Sequence, residues 1–397
     1  MRLHHAAIVA ALASLGTAKS NSNIQADINK AVPPSPSTRL FAALERLARL
    51  VDISYCIGTT GVHKPFDCAS RCKEFPELSL VDTWSTGMFF SDSVGYIALD
   101  HGVEHGLAAD PAAPQTTEGA IIVAFRGTYS IANTIVDLST IPQAYAPYPS
   151  PDDGGEAPEK PSHECANCTV HSGFLSTWQD AREEVIPKLV ALHKKHPTYP
   201  VHLVGHSLGG AVACLAALEL KVSLGIDDVV VTTFGEPRLG NDALVRFIDG
   251  VFDTKADSAL ESRTYRRVTH VGDPVPLLPP GEWGYKSHAG EIHITKSELP
   301  PSEEDIIICV GDEDPACSTR EDSIPDEVIR RLSPATGLDT SESVPILKRG
   351  IPTRLKLWEL LFSHRDYFWR LGLCLPGGDP ANWGREAPRL DLGQDEL

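Results

Sequence analysis

The stretch Val201-His-Leu-Val-Gly-His-Ser-Leu-Gly-Gly-Ala-Val-Ala-Cys-Leu-Ala216 constrains this chain more than any other. A short apolar run, Val201 to Val204, enters Gly205-His206-Ser207-Leu208-Gly209, and an alanine-rich segment without Pro or turn signals continues to Lys221. The pattern reads as strand, sharp turn and helix. A serine at such a turn sits in a strained backbone conformation that lifts its hydroxyl above a sheet, so the residues two places to either side must be glycine. Gly205 and Gly209 fill those places, and Gly210, Ala211 and Ala213 let the helix pack close to its strand. Ser207 is the candidate nucleophile.

The surrounding chain supplies the scaffold. Gly95–Leu99, Ala120–Phe125, Val229–Phe234, Thr264–Val271, Glu291–Thr295 and Ile306–Cys309 read as strands. Helical spacing runs from Thr38 to near Cys56 (Leu40, Leu44, Leu47, Val51), from His171 to Lys195 with Pro187 inside it, and from Asp242 to Phe252. Strands apolar throughout, alternating with helices, indicate a mostly parallel central sheet covered on both faces. The fold class is α/β, with the pattern of an α/β hydrolase. It spans 39–376, with Pro-, Gly- and Asp-rich insertions at 146–164 and a polar, acidic one at 318–349. Residues 19–38 are a flexible polar linker and 377–397 an acidic tail.

A serine hydroxyl is a weak nucleophile until a base takes its proton and a carboxylate orients that base. In this arrangement the acid and then the histidine follow the serine along the chain. Asp273, in Gly272-Asp273-Pro274-Val275-Pro276 at the tip of the strand from Thr264, is the candidate acid. For the base, His270 lies within that strand and His293 within another, while His288 and His364 both fit by spacing. Spacing does not choose between them. The oxyanion hole needs backbone donors, one from the residue after the nucleophile and one from a loop after an earlier strand. Leu208 and Thr128, in Phe125-Arg-Gly-Thr128, supply them.

Composition bounds the setting. A net charge of −18 disfavours nucleic acid and offers nothing to an anionic membrane surface. Residues 1–18 read as a signal peptide, with a basic start, an apolar run from Ala6 to Leu15 too short to span a bilayer, and small residues at Gly16-Thr17-Ala18. No other stretch is long and apolar enough for a transmembrane segment. Nine cysteines suit an oxidising compartment. Cys214, among alanines and leucines, reads as a buried free thiol, leaving eight for four bridges. Cys165-Ala-Asn-Cys168 has the spacing of half a zinc site, but no second close pair with matching spacing stands elsewhere, so no metal is expected. Asn167-Cys168-Thr169 is a glycosylation sequon, marking Asn167. The C-terminus, Gln394-Asp-Glu-Leu397, is one position from an endoplasmic-reticulum retrieval signal, so residence in that lumen competes with secretion.

Phe125-Arg-Gly-Thr128, Gly205-His-Ser-Leu-Gly209, Phe234-Gly-Glu-Pro-Arg-Leu-Gly240, Asp273-Pro-Val-Pro276 and His288-Ala-Gly-Glu-Ile-His293, in that order, resemble the fungal class 3 lipases, the filamentous-fungal triacylglycerol lipases. The likeness covers about residues 40–320 and resumes at 359–375. It implies Ser207, Asp273 and His364 as the catalytic set, with His364 in the aromatic-flanked Phe362-Ser-His-Arg-Asp-Tyr-Phe368 before the last cysteine and His288 structural. Family pairing implies bridges between Cys56 and Cys374, Cys68 and Cys72, and Cys309 and Cys317, leaving Cys165 with Cys168. The step from Cys317 to His364 is longer than the family's, so an inserted segment borders the site.

Directly after the oxyanion residue, Ile131, Ile135 and Leu138 fall on one face of a short helix, where such lipases carry a lid. A lid with an apolar underside opens at a lipid surface and closes in water. The expectation is a monomeric serine hydrolase that needs no cofactor and acts through an acyl-enzyme. Its substrates are lipid esters, triacylglycerol or partial glycerides, at an oil–water or membrane interface. A soluble-substrate esterase of the same fold, such as a feruloyl esterase, would carry a more polar, permanently open lid. A catalytically inactive binding protein of hydrolase fold would not need the intact set.

Overall fold

Alternation along Ala120–Phe125 sends Ile121, Val123 and Phe125 to one face and Ala120, Ile122 and Ala124 to the other, and both sets are buried. A strand apolar on both sides needs cover on both. The computed structural model describes residues 35–87, 92–102, 119–128, 142–148, 164–254, 262–312, 314–318 and 362–375. All belong to one unit, residues 34–397. The expected signal peptide, the linker up to residue 34, the lid positions Ile131, Ile135 and Leu138, most of both insertions and the acidic tail lie outside the described residues; the linker's last residues instead cap and begin a helix.

Eight strands lie side by side in chain order: β1 (Leu78–Ser85), β2 (Val94–Asp100), β3 (Ala120–Phe125), β4 (Val201–His206), β5 (Val229–Phe234), β6 (Tyr265–His270), β7 (Glu291–Ile294) and β8 (Ile306–Ile308). From β3 to β7 every neighbouring pair is parallel. β1, β2 and β8 run antiparallel to their neighbours. The sequence reading omits β1. Its buried Leu78, Leu80 and Trp84 do follow a period of two, but the register shifts between Leu80 and Asp82 and breaks the pattern.

Among the described residues four α-helices cover the sheet: α1 (Thr38–Ile53), α2 (Ser172–Lys195), α3 (Leu208–Val222) and α4 (Asp242–Phe252). The Ser37 hydroxyl caps α1 by accepting from the Leu40 N–H at 3.2 Å. α1 and the segment carrying Tyr367 and Trp369 share one core with Ile122 and Ala124, whereas α2, α3 and α4 pack on the face of Ile121 and Val123. His171, expected at the start of α2, instead ends a short strand, Thr169–His171. Within α3 every residue except Lys221 is buried, as the apolar run Leu208–Leu218 requires, and buried Glu219 is paired with Arg182 Nε at 2.7 Å.

Disulfides join Cys56 to Cys374, Cys68 to Cys72, Cys165 to Cys168 and Cys309 to Cys317, and Cys214 is free and buried. Asn167 is exposed on the loop between Cys165 and Cys168, with its carbonyl accepting from Asn241 Nδ2 at 2.9 Å.

Candidate active site

Ser207 stands between β4 and α3 with φ 56° and ψ −130°, a conformation that a side chain rarely tolerates. Its neighbours explain how it is held. A Cβ on Gly205 would come within 2.2 Å of the Gly209 carbonyl oxygen, and one on Gly209 within 2.4 Å of the Phe125 carbonyl oxygen. The two glycines are therefore required by backbone approach, with the Ser207 N–H donating to the Phe234 carbonyl at 2.9 Å. The turn after β3 meets the same point. A Cβ on Gly127 would lie 2.9 Å from Ser207 Cβ, so Thr128 is delivered beside the serine by its own chain neighbour. Leu208 is the first residue of α3, where backbone N–H groups have no intrahelical partner.

Asp273 follows β6 through Gly272, whose φ of 76° makes the turn. Its Oδ1 accepts the Val275 N–H at 2.9 Å, and its Oδ2 accepts the Tyr367 hydroxyl. His364 Nδ1 lies 2.9 Å from both carboxylate oxygens. Burial works to raise the Asp273 carboxyl, but the His364 ring, its hydrogen bond and those from Tyr367 and Val275 together hold it below the usual carboxylate range. An ionised carboxylate only accepts, so His364 donates from Nδ1 and its Nε2 is left as the working nitrogen. The side chains of Asp273 and His364 are both shut off from solvent.

His364 also meets the serine's surroundings. Its Cε1 lies 2.7 Å from where a Cβ on Gly235 would sit, one residue past the carbonyl that holds Ser207. His206, next to Ser207, stacks on the His364 ring at 4.7 Å between centroids. Among the described residues Ser207 Oγ and His364 Nε2 are buried without hydrogen-bond partners. They are complementary, one a donor and the other an acceptor. Such pairs are often long in an unliganded site and tighten when substrate binds.

The alternative histidine is engaged elsewhere. His288 Nε2 lies 3.0 Å from Glu236 Oε1, and its Nδ1 donates to the Ala289 carbonyl at 2.8 Å. Glu236 Oε2 accepts from Thr233 at 2.5 Å and Tyr265 at 2.9 Å. Cys214, Glu236 and His288 offer metal-type ligand atoms within 4.8 Å of one another. The Glu236 and His288 atoms already satisfy each other and their neighbours, and burial pushes the Cys214 thiol up, away from the thiolate a metal needs.

Residues 122–283 match the family described as lipase (class 3). The chain is 59% identical over 383 residues to the secreted mono- and diacylglycerol lipase 2 of Gibberella zeae, covering 95% of this chain and 93% of that protein. It is 58% identical to lipase A of Sodiomyces alcalophilus, covering 89% and 86% of the two chains. The chain belongs to the class 3 lipase family. Among solved structures, the nonglycosylated LIP2 lipase of Yarrowia lipolytica superposes with a TM-score of 0.64 at 27% identity, covering 86% of this chain and 98% of that one. The chain is thus a lipase of α/β-hydrolase fold that cleaves carboxylic esters of lipids.

In this lipase the sequence reading misses several residues that the structure gathers at the site. Glu236 and Tyr367 lie inside quoted motifs, but their bonds to His288 and Asp273 are not read there, and Tyr55 on His206 carries no local motif. His206 was visible only as a filler of the pentapeptide. Burial and, after it, the Coulombic effect of His364 beside it bring His206 down to about 3, against the opposing pull of its bond to the His364 carbonyl and of Asp273.

That shift sets a pH dependence. Between about pH 6.5, where an unfolded histidine takes up its proton, and about 3, where folded His206 does, the unfolded chain binds one more proton. Stability is full above that window and falls with acidification by up to about 1.4 kcal/mol per pH unit from this group. Asp273, held low, adds a second loss as pH drops below its ordinary value of about 3.9. Calorimetry from pH 7 to 4 should show Tm falling, with a shallower slope in His206→Gln. Equal slopes would remove His206 from the account.

Proposed function

We propose that Ser207 is the nucleophile, His364 the general base and acid, Asp273 its orienting carboxylate, and the Thr128 and Leu208 main-chain N–H groups the oxyanion donors. The observation that carries this reading is the buried His364 Nδ1 on both oxygens of Asp273, with Nε2 and Ser207 Oγ still to be satisfied. His364 Nε2 takes the Ser207 proton as Oγ attacks the ester carbonyl, and the tetrahedral oxyanion gains two hydrogen bonds. His364 then returns the proton to the leaving alcohol. Water enters by the same route and frees the fatty acid, regenerating Ser207.

We infer further that the preferred substrates are mono- and diacylglycerols and that the protein is secreted. The Gibberella zeae relative, aligned over nearly the whole chain, bears both terms in its name. Four disulfides suit an oxidising destination. A net charge of −18 favours uncharged glyceride aggregates over anionic bilayers. No helix among the described residues is long and apolar enough to cross a membrane. A hydrolysis panel of dispersed monoacyl-, diacyl- and triacylglycerol and an anionic phospholipid, followed by released fatty acid, tests this. Fastest release from the partial glycerides is expected, and equal or faster release from triacylglycerol would overturn the preference. Testing a short soluble ester below and above its solubility limit probes the lid of Ile131, Ile135 and Leu138. A jump in rate above that limit supports it.

A further inference from the structure

The base sits on a tail segment that has little regular structure of its own, with two short strand pieces at Asp366–Tyr367 and Trp369–Arg370. Something must set its main chain against the sheet. His206 Nε2 lies 2.7 Å from the His364 carbonyl oxygen, and since a carbonyl only accepts, Nε2 carries the hydrogen. The ring is neutral at working pH, so Nδ1 is bare and accepts from the Tyr55 hydroxyl at 2.5 Å. The Tyr55 hydroxyl oxygen also lies against the turn after β3, 2.6 Å from where a Cβ on Gly127 would sit. Two directional hydrogen bonds thus run from Tyr55, packed on the oxyanion turn, through His206 to the backbone of His364.

The series is enclosed. Tyr55 and His206 are each 2% exposed and His364 is fully buried. The His206 ring is flanked by His364 at 4.7 Å, Tyr55 at 5.8 Å and Tyr367 at 6.0 Å between centroids, and Asp273 and Arg365 are the charged groups acting on it. A buried polar group is stable when its partners are fixed, and both ring nitrogens of His206 are paired here.

We infer that Tyr55 and His206 are positioning residues, a buried hydrogen-bond series that fixes the oxyanion turn and the catalytic base relative to each other. This rests on His364 being the base. Misplacement of reacting groups by about an ångström costs on the order of 100-fold in rate, so breaking the series lowers kcat and spares KM.

Four variants test it, with kcat expressed per active site titrated by a fluorophosphonate: His206→Asn, His206→Gln, Tyr55→Phe and His364→Ala. Gln offers an amide donor near the place of Nε2, whereas Asn offers only an acceptor near Nδ1. His206→Asn should lose roughly 10- to 100-fold in kcat with KM within about twofold, and His206→Gln should recover most of that loss. Tyr55→Phe should lose about 10-fold in kcat and in phosphonylation rate. A kcat for His206→Asn within twofold of the parent, or equal losses in Asn and Gln, would overturn the inference. If His206→Asn does not fold, Tyr55→Phe decides alone, and an unchanged kcat there has the same meaning. Activity surviving in His364→Ala sinks the underlying base assignment instead, whatever the other variants do.

Discussion

Ser207→Ala lowers kcat on dispersed diacylglycerol by roughly 10,000- to 1,000,000-fold, His364→Ala does nearly the same, and the double variant is no worse than either. The reason is that nucleophile and base act as a unit: removing the proton acceptor leaves Oγ as inert as removing the oxygen. With Asp273 as the proposed orienting group, Asp273→Asn is expected to leave the fold in place but lose on the order of 10,000-fold by fixing the wrong tautomer on His364. Single-turnover release of fatty acid, with Tm recorded for each variant, checks these values. If the losses of Ser207→Ala and His364→Ala multiply in the double variant, the two do not share a step. If His288→Ala, rather than His364→Ala, abolishes acylation at unchanged Tm, the base is misassigned.

The second large effect is on stability. Replacing Cys56 and Cys374 together by Ser removes a link spanning 318 residues, worth about 5 kcal/mol in the chain-entropy account. For a domain of this size that is a fall in Tm of about 10 °C. The bridge lies next to Tyr55 in sequence and closes the segment bearing His364, which is further tied by the Gly372 N–H donating to Asp52 Oδ1 at 2.7 Å. Activity should therefore decline at temperatures below the global transition, as the tail loosens first. Parallel heating of parent and double variant, read by calorimetry and by residual hydrolysis, measures both. Coincident curves in the variant would mean that tail and sheet melt together.

Much of this was legible beforehand because it is local. The turn at Ser207 is written in Gly205 and Gly209, since the crowding they relieve involves backbone within a few residues or on the next strand. β2 to β8 were found; β3, β5 and β8 are nearly continuous apolar runs with few other uses, whereas β6 and β7 carry Arg267, Thr269, Glu291 and His293 among their apolar residues. β1 escaped because an edge strand is wetted on one side and bulged. The choice between His288 and His364 was beyond spacing. It turns on which carboxylate, Glu236 or Asp273, the folded sheet presents to each ring. Tyr55 and Tyr367 were illegible for the same reason: each reaches its partner across more than 90 residues of chain.

The strands are laid down in the order they are made, and the turn bearing the serine is complete by the middle of the sheet. The imidazole arrives only with the closing segment, after every strand of that sheet. Competence is therefore the last property the chain acquires. A molecule that stops short of that segment holds Ser207 without the imidazole proposed to activate it.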